Sequence, residues 1–133
     1  MLRSCLTIIV LVVLAGVVYN LYRTSQEPEV PVLEGEFSPQ FKKAVLNSLE
    51  DYVQDTPEID RLVLDGSILD IHYRNRVGKN QYRLDASIIA ENFSKTKLQL
   101  LNNGNVLVRC IYDSLIQVEA TAENGRVTNI NEL

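Results

Sequence analysis

Residues 6–22 read LTIIVLVVLAGVVYNLY, seventeen positions without a charge, with Thr7 and Asn20 as the only plainly polar side chains. Such a run reads as a targeting or membrane segment, to be set apart before the remaining fold is considered. As a helix it reaches roughly 25 Å, at the short end of what a bilayer core of about 30 Å requires. Adding Ser4 and Cys5 lengthens it further.

A cleaved signal peptide is the rival reading, with Arg3 as its basic start and Val13-Leu14-Ala15 as a small-residue cleavage site. The run nevertheless continues through Val18, and Tyr19, Tyr22 and Arg23 follow where interfacial aromatics and a snorkelling cation anchor a helix end. The expectation is therefore an uncleaved, single-pass anchor over residues 1–23. Arg3 and the amino terminus precede the apolar run and only Arg23 follows it closely, so the cation rule favours the amino terminus in the cytoplasm and the remainder outside.

Residues 24–37, TSQEPEVPVLEGEF, carry Pro28, Pro31 and four glutamates. Proline favours extended chain and like charges repel, so this acidic stalk would reach on the order of 40 Å. The stalk glutamates and the basic stretch at 73–83 would attract each other only weakly in salt.

The remaining residues, 38–133, suffice for one small domain. Ser38-Pro39 is a helix start, with a capping hydroxyl and a proline at the first helical position. Phe41, Val45, Leu49 and Tyr52 then share one face up to about Asp55, before Pro57. Asp65-Gly66 reads as a tight hairpin turn, followed by a strand in which Leu69, Ile71 and Tyr73 alternate with Asp70, His72 and Arg74.

Tyr82, Leu84 and Ala86 also alternate with polar residues, which predicts a third strand; an early start to the next helix is the other reading. That helix is expected from about Ser87 to Asn102, with Ile89, Phe93, Leu100 and Leu101 on its apolar stripe and Asn103-Gly104 as its stop. Strands over 106–112 and 115–122 follow, and Asn124-Gly125 turns the chain into a last strand at 126–130. The fold class is thus α+β, with antiparallel strands and two helices on one face. The similar order of elements in the two halves suggests a duplicated α-β-β-β unit.

Chemistry-bearing residues are sparse. His72, the only histidine, lies two positions from Asp70 on one strand, a separation of about 7 Å that is too long for a catalytic dyad. Asp55, Glu58 and Asp60 lack the ligand spacing of a calcium loop, and no His/Cys set suits zinc. Gly66, Gly78, Gly104 and Gly125 stand singly at turns rather than forming a phosphate cradle. Asn92-Phe93-Ser94 is a formal glycosylation triplet, but Phe93 belongs to the apolar stripe. Cys110, on an alternating apolar face, reads as a buried thiol. The expectation is a protein without catalytic residues, cofactor or metal.

One stretch stands out in a chain of formal net charge −4. YRNRVGKNQYR, residues 73–83, places Arg74, Arg76, Lys79 and Arg83 together without an acid, flanked by Tyr73 and Tyr82. Read as a basic hairpin, it is the candidate partner-binding site, with guanidinium charge and aromatic stacking as its means. Charges on an edge hairpin also simply prevent aggregation. Nucleic acid is excluded as the partner by the acidic balance of the rest. These features imply a membrane-anchored, non-catalytic accessory or interaction protein of an envelope or secretory-pathway assembly, with a protein partner. The alternative is a domain binding a small ligand or an anionic polymer at 74–83.

Overall fold

The computed structural model describes residues 13–17 and 35–133. The chain divides into two compact units, Met1–Pro31 and Val32–Leu133. In the first, residues 13–17 are helical. Most of the apolar run at 6–22 and the stalk through residue 34 lie outside the described residues. No helix among those described is long and apolar enough to cross a membrane.

The second unit is an α+β domain, α1 (Pro39–Gln54), β1 (Ile59–Asp65), β2 (Ile68–Tyr73), α2 (Lys79–Leu101), β3 (Val106–Tyr112), β4 (Leu115–Glu123) and β5 (Arg126–Glu132). The Ser38 side chain accepts a hydrogen bond from the Phe41 N–H at 3.1 Å and Pro39 opens α1, as the capping pattern predicts. Phe41, Val45 and Leu49 are fully buried on its inner face.

The five strands form one sheet in the order β1-β2-β3-β4-β5. Three of the four pairings are antiparallel, but β2 and β3 run parallel, Leu69 opposite Val108 and Ile71 opposite Cys110. The sheet is therefore mixed rather than antiparallel. The reason lies in residues 79–86, which form the first turns of α2 and not a third strand. A helix between β2 and β3 carries the chain back along the sheet, so the next strand enters in the same direction as the last.

The alternation that suggested a strand is ambiguous, because Tyr82 and Ala86 are four apart and so also share a helical face. Leu84, which a strand would have buried with them, is 52% exposed. The buried positions of α2 are Tyr82, Asp85, Ala86, Ile89, Ala90, Phe93, Ser94 and Lys97, a helical repeat from end to end. With two strands after α1 and three after α2, the halves are not copies of one α-β-β-β unit.

Hairpin turns fall where the sequence marks them. Asn124 and Gly125 both have positive φ, as do Asp113 and Ser114, whereas the first turn is formed by Gly66 and Ser67 rather than Asp65 and Gly66.

Leu69, Ile71, Tyr73, Val106, Val108, Cys110, Val118, Ala120 and Ala122 join the inner faces of both helices in a single core. Helix α2 packs on β3, β4 and β5, and α1 packs on α2 and β1. Alternate residues, including Ile68, Asp70, His72, Leu107, Arg109 and Ile111, are only half-buried and lie on the other sheet face.

Candidate functional site

The basic residues at 74–83 occupy a corner of the domain, not a hairpin. Arg74 follows β2, Arg76 lies in the connecting loop, and Lys79 and Arg83 stand in the first turns of α2. Two of the four are engaged within the domain. Arg74 pairs with Asp60 at 3.6 Å and Arg83 with Glu132 at 3.1 Å, both at exposed positions where an ion pair adds little stability. Arg76 and Lys79 are exposed and form no ion pair among the described residues. The first turn of α2 contains no acid and its cap residue, Gly78, contributes no side-chain hydrogen bond. The positive end of the helix dipole therefore adds to their field instead of being offset.

The flanking aromatics are elsewhere. Tyr73 is 6% exposed and Tyr82 2%, and their rings meet edge to face at 4.8 Å inside the core. Their rings face each other rather than solvent. Of the six residues the sequence put forward, only the four cations are exposed.

Between them the tyrosines help build a polar cluster that the sequence did not announce. Asp85, fully buried on α2, accepts hydrogen bonds from the Tyr52 hydroxyl, the Tyr73 hydroxyl at 2.6 Å and the Gln81 amide at 2.9 Å. These donors come from α1, β2 and α2, so the carboxylate ties three elements at one point. Burial, with the Asp85 carboxylate nearby, holds both phenols well above their ordinary range. They remain donors at any physiological pH. The Cys110 thiol is 3.8 Å from the Tyr73 hydroxyl, and burial pushes it up to about 12 despite that hydrogen bond. It is therefore an inert thiol.

On the open sheet face, Asp70 and His72 do not form a dyad. Arg109, opposite Asp70 on β3, donates to both of its carboxylate oxygens, at 2.6 and 2.8 Å. This bidentate pair holds the guanidinium above its ordinary range and uses the carboxylate that a general-base histidine would need. Within the glycosylation triplet, Asn92 is exposed while Phe93 and Ser94 are buried.

The last cluster surrounds Lys97, 1% exposed on the core side of α2. Its ammonium meets Glu36 at 3.0 Å, the Asn105 carbonyl at 2.9 Å and the Asn103 side chain at 3.4 Å. The Ser67 hydroxyl donates to the other Glu36 oxygen at 2.6 Å, the main reason that carboxyl is held below its ordinary range. Glu36, assigned to the stalk by composition, thus pairs inside the domain and not with the basic corner.

Asp85 and Lys97 were legible only as anomalies, a carboxylate and an ammonium at positions where the apolar stripe of α2 calls for core residues. Comparisons with protein-family models, with curated proteins and with solved structures found no match for this chain.

Proposed function

We propose that this chain is a membrane-tethered, non-catalytic interaction subunit of an envelope or secretory-pathway assembly, and that its folded domain meets an acidic protein surface at the corner formed by Arg76, Lys79, Arg74 and Arg83. The observation that carries this reading is the charge at the start of α2. Two exposed cations without an acid partner stand beside an uncompensated helix dipole in an otherwise acidic chain, an arrangement that costs the isolated domain stability and is relieved by a negative partner. The tether raises the local concentration of the domain at the membrane, so a weak electrostatic contact suffices.

Crosslinking in native membranes followed by detergent copurification tests the reading. The comparison is wild type against Arg76→Ser/Lys79→Ser, with the thermal transition of both measured. Both residues are exposed and unpaired, so the variant keeps its fold. A partner recovered with wild type and lost with the variant is the expected result. An identical set of recovered proteins refutes the assignment of the corner. Recovery of an anionic polymer or small ligand in place of a protein refutes the proposed partner class.

A further inference from the structure

Lys97 is buried, yet its counter-charge is brought by a residue outside every helix and strand. Ser67 belongs to the β1–β2 turn and Asn103 and Asn105 to the loop after α2, with the Asn105 N–H donating to Asn103 at 2.9 Å and fixing that loop. Ammonium, hydroxyl and loop oxygens are thus placed by folded elements. The carboxylate alone comes from the short segment before α1, where Glu36 is one-third exposed and its neighbour Phe37 is 70% exposed.

A cleft of about 330 Å³ opens beside the pair, lined by Ser67, Lys97, Asn103, Asn105, Glu36 and Glu123. That volume is on the order of ten waters' share of the liquid, ample for a carboxylate and the chain that bears it.

We infer that Lys97 and Ser67 form a carboxylate-binding site, that Glu36 is its ligand in cis, and that a glutamate of an acidic peptide takes the same place by displacing it. A buried ammonium without a counter-charge is costly, so the site holds a strong preference for being filled. A second carboxylate cannot simply join the first, because Glu36 and Glu123 already outnumber the one cation. Exchange is the only way in. Displacing Glu36 also unfastens the residues that precede α1 from the β1–β2 turn, so ligand binding and attachment of this segment oppose each other reciprocally.

The test uses the full chain in detergent, titrated with acetyl-Gly-Glu-Phe-amide, which copies residues 35–37, and separately with sodium acetate, both against sodium chloride at equal ionic strength. In chloride, Glu36→Ala melts below wild type. The peptide raises its transition saturably and binds at least about tenfold more tightly than to wild type, which must first expel Glu36. Glu36→Ala/Lys97→Met gains nothing from either solute. If acetate matches the peptide, the site takes small carboxylates in general; if only the peptide acts, the site reads a glutamate in its chain. Both outcomes support the site. Glu36→Gln, which keeps an acceptor for Ser67, serves where Glu36→Ala does not fold. Equal transitions in all three solutes for both variants, or equal peptide affinity for wild type and Glu36→Ala, overturn the inference.

Discussion

Asp85→Ala removes the acceptor at which α1, β2 and α2 meet. The Tyr73 hydroxyl, on a side chain buried in the core, keeps only the Cys110 sulfur at 3.8 Å, too weak a partner to replace a carboxylate oxygen. A buried donor left unsatisfied costs roughly 1–3 kcal/mol. Tyr52 and Gln81 reach solvent and recover part of what they lose. The cavity from the lost side chain adds to this, so the total is about 2–4 kcal/mol. For a domain of this size each kcal/mol lowers Tm by about 4–8 °C, giving a fall of roughly 8–32 °C.

Thermal and urea unfolding followed by circular dichroism measures it, and a double-mutant cycle with Tyr73→Phe shows whether the cause is right. Removing both partners of a hydrogen bond costs less than the two single removals together, because no polar group is left stranded. A coupling of at least about 1 kcal/mol is expected between Asp85 and Tyr73. Simple additivity, or a loss below about 0.5 kcal/mol for Asp85→Ala, would refute the claim that this cluster joins the three elements.

Two further predictions concern titration. The Glu36 carboxyl is held below its ordinary 4.5 in the folded state, chiefly by the Ser67 hydrogen bond, so its contribution to stability is complete above 4.5 and is lost as pH falls through the lower folded value. Unfolding curves of wild type and Glu36→Gln should therefore differ at pH 7 and converge in acid; a gap independent of pH would show that the charge contributes nothing. In a Cys5→Ser background, Cys110 should resist a thiol reagent at pH 8 in the native protein and react fully in urea, because burial raises the thiol to about 12 and denies access to it. Rapid labelling of the native protein would mean that the core around β3 opens readily.

Much of the fold is visible in local pattern. Ser38-Pro39 and the spacing of Phe41, Val45 and Leu49 specify α1 because capping and helical periodicity depend on neighbours in sequence. Asn124-Gly125 specifies a turn because positive φ is a local requirement. Residues 79–86 show where such pattern fails, since Tyr82 and Ala86 satisfy a strand and a helix equally and only packing on the sheet chose between them. That choice turned an antiparallel sheet into a mixed one and a basic hairpin into a loop with a helix start.

The candidate sites divide in the same way. Clustering of Arg74, Arg76, Lys79 and Arg83 is a property of the chain, because adjacency in sequence guarantees adjacency in space. Their pairing with Asp60 and Glu132 is not, since Glu132 lies 49 positions from Arg83 and meets it only when β5 completes the sheet. Asp70 likewise meets Arg109 across 39 positions through the parallel register of β2 and β3. The apolar segment at 6–22, the acidic stretch after it and an α+β domain all follow from composition and short-range periodicity. Tertiary structure alone decided which charges are spent within the domain and which remain free, because hydrogen bonds and ion pairs act over a few ångströms of space and take no account of distance along the chain.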